Sequence, residues 1–179
     1  MTTTSLPEAT ASASRPLAPD PAGSSALVRA VVEGDAAMVQ ALLDAGAPTV
    51  DALTASLLAA ARAGHRAIVE LLLDHGAPIG GRDHLGRDPL YWAAYFAHRE
   101  VVATLLARGA DPQARDLDGS TALHGAASNI TDPLVLRDLI DGGAQVDATD
   151  RGGNTPLSIA EREGENDAAA AMMAWHLLP

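Results

Sequence analysis

The sequence predicts an all-α fold: a solenoid of about five stacked helix-turn-helix repeats joined by short hairpin turns. Three observations support this prediction. Four Gly-Ala pairs, beginning at Gly46, Gly76, Gly109 and Gly143, are spaced 30, 33 and 34 residues apart. Each pair follows a run rich in Leu, Ile or Val, and an Asp-x-x-Gly motif opens most of the units. Self-similarity near 33 residues is typical of stacked two-helix modules.

The unit is clearest over residues 83–115. Its opening Asp-His-Leu-Gly predicts a turn, because Asp side chains bind nearby backbone amides and Gly accepts positive φ. Asp88-Pro89 predicts a helix start, with an N-cap oxygen followed by proline at the first helical position. Apolar helical stretches then cover 91–96 and 100–107. We expect Gly109 to end the second helix in the left-handed conformation.

The same motif recurs at Asp116 and Asp150, and in a weaker form at Asp20. The predicted repeats are about 20–49, 50–82, 83–115, 116–149 and 150–179. In the second unit Val50 and Leu53 stand where Asp and Gly are expected, which predicts a loop three residues short. In the fourth unit Thr131-Asp132-Pro133 predicts a helix restart near Pro133. Residues 1–19, rich in Thr, Ser, Ala and Pro, are predicted to form a disordered tail.

Composition limits the class of protein. The 179 residues correspond to one domain, and a 47% apolar content with only 3% aromatics predicts a thin core between close helices. The absence of cysteine excludes disulfides and thiolate zinc sites. Neither a membrane-length apolar stretch nor a secretory signal is found, so we expect a cytoplasmic protein. The net charge of −11 disfavours nucleic-acid binding. The twelve basic residues are all arginine, which indicates a GC-rich bacterial source.

These motifs resemble the ankyrin repeat, whose pattern is Asp-x-x-Gly-x-Thr-Pro-Leu-His, then Ala-Ala-x-x-Gly-His, then Val-x-x-Leu-Leu-x-x-Gly-Ala. The phrases at 116–124 and 150–158 carry the resemblance best, and it covers about residues 20–179. It implies a hairpin or turn and two antiparallel helices per repeat. It also implies that His124 hydrogen-bonds between repeats. Ala97 departs from the pattern, since it replaces the glycine between the two helices.

No catalytic constellation is found, and we expect neither an enzyme nor a cofactor. His84 is the one histidine expected on an outward loop, and Asp83 and Asp88 lie near it. Three close residues on a turn are weak evidence for a metal site, so a metal-dependent enzyme is the least favoured alternative. A self-assembling structural protein, using the apolar end at 175–178, is a second alternative. We expect a monomer that binds neither nucleic acid nor membrane.

The resemblance implies a non-enzymatic module that binds a protein partner, which we expect to present an acidic surface. In the family the concave face meets partners. This face comprises the turn residues around Asp-x-x-Gly and the outward positions late in the first helix of each repeat. The register places these residues on it: Arg62, Arg82, His84, Leu85, Arg87, Tyr95, Phe96, Arg115, Leu117, Ser128, Asn129, Arg151 and Arg162.

Arginine and aromatic side chains commonly anchor interfaces. We expect Trp92 to face the core, which leaves Tyr95 and Phe96 for the surface. The alternative is structural: the arginines balance neighbouring Asp residues, and the two aromatics complete the helix packing.

Overall fold

A computed structural model describes residues 21–46, 48–129 and 132–164, and within these ranges it contains nine helices and no strand. The helices are α1 (Pro21–Glu33), α2 (Ala36–Ala45), α3 (Val50–Ala63), α4 (Arg66–Asp74), α5 (Pro89–Tyr95), α6 (Arg99–Ala107), α7 (Ala122–Ser128), α8 (Pro133–Asp141) and α9 (Pro156–Glu163). The odd-numbered helices pack side by side in an inner layer, and α2, α4, α6 and α8 form an outer layer. The predicted helical solenoid is confirmed.

The predicted helix boundaries follow from local chemistry. Asp88 caps α5, since its side chain accepts a hydrogen bond of 2.8 Å from the backbone N–H of Tyr91. Asp132 caps α8 in the same way, which confirms the restart at Pro133. Gly109 follows α6 with φ of 88°, in the left-handed region that glycine adopts without steric cost.

The second unit differs from the prediction. Its turn is not merely short: helix replaces it, and α3 has 14 residues where α5 and α7 have 7 each. The sequence Val50-Asp51-Ala52-Leu53 lacks a glycine to reverse the chain. Thr49 instead caps the helix, accepting a hydrogen bond of 3.2 Å from the N–H of Ala52. The chain therefore enters α3 directly from the end of α2.

One apolar core runs through the whole stack. Leucines on both layers are fully buried, among them Leu57, Leu90 and Leu123 of the inner helices. Between the inner helices lie the alanine pairs of the second, third and fourth repeats, Ala60-Ala61, Ala93-Ala94 and Ala126-Ala127, which are at most 3% exposed. Helices of 7 to 14 residues are marginal alone. Each is therefore stabilised by its neighbours, as in other repeat proteins.

The turns at Asp83, Asp116 and Asp150 share one geometry. In each, the aspartate N–H donates to the carbonyl four residues later, at 2.9 to 3.0 Å. Successive turns also bond to each other, as in the 3.0 Å hydrogen bond from the N–H of Leu117 to the carbonyl of Leu85. These hydrogen bonds join the hairpin turns of the third, fourth and fifth repeats into one row.

Two sequence predictions lie outside the described ranges: the tail at 1–19 and the apolar end at 175–178. The repeat boundaries, the cytoplasmic location and the monomeric state stay predictions. Within the described part of the chain, no helix is long and apolar enough to cross a membrane.

We predict that Ala97→Gly stabilises the protein by about 0.5 to 1 kcal/mol. Ala97 has φ of 55°, a left-handed conformation that costs a non-glycine residue roughly 1–2 kcal/mol, partly offset by the greater freedom of glycine when unfolded. Gly64 occupies the equivalent place in the preceding repeat, with φ of 76°. A Cβ there would lie 2.6 Å from the His98 ring, so Gly64→Ala should destabilise. Urea unfolding measures both variants, and a less stable Ala97→Gly variant would show this strain is absent.

Candidate functional site

Four of the chain's five aromatic residues lie within six positions on α5 and its C-cap. They are Tyr91, Trp92, Tyr95 and Phe96, and the ring centroids of five of their six pairs are 5.1 to 6.5 Å apart. Tyr91 and Trp92 are buried, Tyr95 is half-buried, and Phe96 is 38% exposed. The rings therefore form a graded cluster whose outer member reaches solvent.

Trp92 is buried, as expected of a core-facing residue, but it packs outside the main core, in a second apolar cluster with Leu58 and Tyr91. The core side of α5 is filled by Ala93 and Ala94, and helices in contact through alanine leave no room for an indole. The ring instead lies on the concave side, where its Nε1–H donates to Asp83 Oδ2 at 2.9 Å.

Gly125 makes room for Tyr91 on the adjacent helix α7. A Cβ at this position would lie 3.1 to 3.3 Å from atoms of the Tyr91 ring, closer than ordinary packing allows. Burial raises the pKa of Tyr91 to about 12, so the phenol stays neutral. The missing side chain of Gly125 thus lets the ring pack between two repeats.

Three of the predicted arginines, Arg82, Arg87 and Arg115, hold consecutive repeats together. Arg82 Nη1 donates to the carbonyl of Gly86 in its own turn and to the carbonyl of Arg115 in the next. Arg115 repeats the arrangement, with hydrogen bonds of 2.8 Å to Gly119 and 2.7 Å to Thr149. These guanidinium groups are already bound within the protein.

Arg87 pairs with an acidic residue of the next repeat. Its Nε lies 3.2 Å from Asp116 Oδ2, and the Asp116 side chain is only 1% exposed. The Arg87 guanidinium also lies over the rings of Tyr91, at 4.7 Å, and Trp92, at 5.2 Å. The expectation that arginines balance neighbouring Asp residues thus describes Arg87 well.

Asp83 has a structural role in its turn. Its carboxylate accepts hydrogen bonds from the N–H of Leu85 and Arg87 and from the Trp92 indole. Burial alone would raise the pKa of this carboxyl, but these three donors outweigh it, and the pKa is lowered. The neighbouring His84 is exposed. Among the residues described, no group of three His, Asp or Glu side chains is arranged to hold a metal ion.

Several predicted residues lie at the surface with local partners. Ser128 Oγ donates to the carbonyl of Gly125, at 2.9 Å, and Asn129 Nδ2 donates to the carbonyl of Tyr95, at 3.0 Å. Asn129 thereby caps the inner helix of the preceding repeat. Arg162 pairs with the adjacent Glu163 at 3.3 Å.

Leu85 and Leu117 sit on neighbouring turns, and each presents a largely unburied side chain, 38% and 57% exposed. Arg151 is exposed at the next turn, where its backbone N–H donates to the carbonyl of Asp118 at 2.8 Å. The three turns therefore present two leucines and one arginine in succession.

Arg62 differs from the other predicted arginines. Its guanidinium carbon lies 4.2 Å from the centroid of Trp92 and 6.0 Å from that of Phe96. Of the arginines in the described ranges, only Arg62 and Arg151 have neither a carboxylate nor a carbonyl bound to the guanidinium. The Arg62 carbonyl accepts from His98 Nε2 at 2.9 Å, which fixes the end of α3.

Arg62 forms part of a groove of about 480 Å³ between α1, α3 and α5. Its other lining residues are Val32, Ala55, Leu58, Ala59, Ala63, Asp83, Trp92 and Phe96. The register singled out only Arg62 and Phe96 of this set for the partner face. The concentration of aromatics at 91–96 is the sequence signal that could have located the groove.

Comparison with protein families decides the identity of the repeat. A family model described as ankyrin repeats (3 copies) matches residues 27–116, and one described as ankyrin repeat matches residues 118–151. Together these matches cover more than half of the chain. The protein belongs to the ankyrin repeat family. Ankyrin repeats are generally protein–protein interaction modules and are typically non-enzymatic. No curated protein matches the chain.

His124 makes the bond between ankyrin repeats that the family resemblance implied. Its ring is 2% exposed, and Nε2 lies 3.2 Å from the carbonyl of Asn154 in the next repeat. The Thr121 N–H donates to Nδ1 at 3.1 Å. A ring that accepts at Nδ1 and donates from Nε2 is neutral. Burial accordingly lowers the pKa of His124 below its ordinary value of 6.5.

We predict that the ankyrin stack loses stability as the pH falls through about 6.5, because the unfolded chain then takes up a proton that buried His124 resists. Urea unfolding at pH 7.5 and pH 5.5 measures the difference in free energy. His124→Gln should reduce this pH dependence. His84→Gln, at an exposed histidine, should retain it. An unchanged pH dependence in His124→Gln would show that His124 is not its source.

Proposed function

We propose that this ankyrin protein is a non-enzymatic module whose concave face binds a protein partner. The observation that carries the proposal is the aromatic cluster on α5, which reaches solvent at Phe96 beside the unpaired guanidinium of Arg62. Aromatic and arginine side chains supply much of the binding energy at protein interfaces. A cluster of this kind at the surface favours binding over a purely structural role.

The distribution of exposed apolar side chains supports the same face. Val32, Val50, Leu85, Phe96 and Leu117 are 38 to 66% exposed, and all belong to the turns or to the ends of inner helices. On the outer layer the large exposed apolar residues are Met38 on α2 and Leu134 on α8, one to a helix, within the ranges described. Contiguous apolar surface marks binding sites better than isolated residues do.

Arginines that stabilise the stack are poor positions at which to test partner contact. Arg82, Arg87 and Arg115 are bound to carbonyls or to Asp116, so their replacement would disturb the stack as well as any interface. Phe96 and Leu117 are exposed, and their replacement should leave the fold intact. The partner face is therefore best tested at these two residues.

We predict that Phe96→Ser with Leu117→Ser lowers capture of the partner about tenfold or more, since loss of an interface anchor costs about 2 kcal/mol. Affinity capture from the source cells, quantified by mass spectrometry, measures the recovery of each protein. The matched control is Met38→Ser with Leu134→Ser, which removes similar apolar area from the outer layer. Thermal unfolding of both variants verifies that they are folded. Equal recovery of every captured protein by the two variants would contradict binding at the concave face.

A further inference from the structure

We propose that the groove between α1, α3 and α5 receives an apolar side chain from a short segment of the partner protein, and that a neighbouring carboxylate of this segment pairs with Arg62. The inference rests on the proposed function, because it names the chemistry of the partner at the same face. It concerns Arg62, Phe96 and Val32, which line the groove together.

The walls of the groove are apolar. Ala55, Leu58, Ala59 and Ala63 line it from α3, and the Trp92 and Phe96 rings line it from α5 and its C-cap. Small side chains on α3 leave the space open. Val32 of α1 also lines the groove and is 61% exposed, so its burial by a partner would remove apolar area from water. An apolar side chain is the group that such walls favour.

The positive charge at the groove lacks a partner. The Arg62 guanidinium stacks over Trp92 at 4.2 Å and donates no hydrogen bond to any residue described. A guanidinium fixed against a ring keeps its N–H donors directed at its edge, where a carboxylate can accept two of them. Prior stacking also reduces the side-chain entropy lost on binding.

The remaining groups of the groove do not favour a cationic partner. The Trp92 ring, which could attract a cation, is already covered by the Arg62 and Arg87 guanidinium groups. The carboxylate of Asp83 is occupied by three hydrogen-bond donors. Arg62 is thus the one charged group lining the groove that is free to pair, and it requires an anion.

The experiment is selection from a displayed library of random 12-residue peptides on the full chain. We expect enrichment of peptides that combine Asp or Glu with a large apolar residue. Fluorescence anisotropy then measures the affinity of a selected peptide for variants. Arg62→Gln should weaken binding about tenfold or more, because a charge-assisted hydrogen bond is lost. Arg66→Gln removes an exposed guanidinium from the outer helix α4, away from the groove, and should leave the affinity unchanged.

A reversed pair adds a second readout. Arg62→Glu should abolish binding of the acidic peptide. The same variant should bind a second peptide in which Lys replaces the carboxylate residue. Failure to enrich acidic-apolar peptides, or equal affinity for the wild type and Arg62→Gln, would overturn the inference. If partner capture nevertheless depends on Phe96 and Leu117, the concave-face function stands and only the acidic-apolar occupant is wrong.

Discussion

Close contact between alanine-lined inner helices is the constraint on which the rest of this structure depends. Ala60, Ala93 and Ala126, at most 3% exposed, bring α3, α5 and α7 within reach of one another. None of these helices is long enough to be stable in isolation, so the contact stabilises each of them. It also decides where large side chains go. An indole cannot enter between helices that meet through alanine, and Trp92 therefore lies on the concave side, with the cluster that ends at Phe96.

The arginines of this face differ in what they contact. At the turns, arginine holds one repeat to the next through carbonyl oxygens or, for Arg87, through the buried carboxylate of Asp116. At the end of α3, Arg62 stacks on an aromatic ring, and its guanidinium donates no hydrogen bond within the part of the chain that the structure describes. A count of arginines on this face therefore overstates the charge available to a partner. The groove beside Arg62 provides both an apolar wall and an unpaired cation, which is why we place the binding site there.

Much of the fold could be predicted from local sequence. Asp88-Pro89, Gly109 and Asp132-Pro133 mark helix ends through interactions between residues at most four positions apart, and these patterns are visible in any short window. The sequence did not predict that α3 extends over the second turn. The degenerate motif at Val50 and Leu53 was interpreted as a shortened copy of the turn. The roles of Arg82 and Arg115 could not be found locally, since the carbonyls that they bind in the next repeat lie 33 and 34 residues along the chain. The cluster that buries Trp92 includes Leu58 of the preceding repeat, so the spacing of residues within one helix could not identify its members.

The division between structural and free arginines is tested most directly by the stability of Arg87→Gln and Arg62→Gln. Both guanidinium groups stack over Trp92, so the two variants lose a similar contact with the ring. Only Arg87→Gln also leaves buried Asp116 without its cation. Urea unfolding at pH 7.5 should therefore show that Arg87→Gln is the less stable by about 1.5 to 3 kcal/mol. An equal loss of stability in the two variants, or a greater loss in Arg62→Gln, would contradict the account.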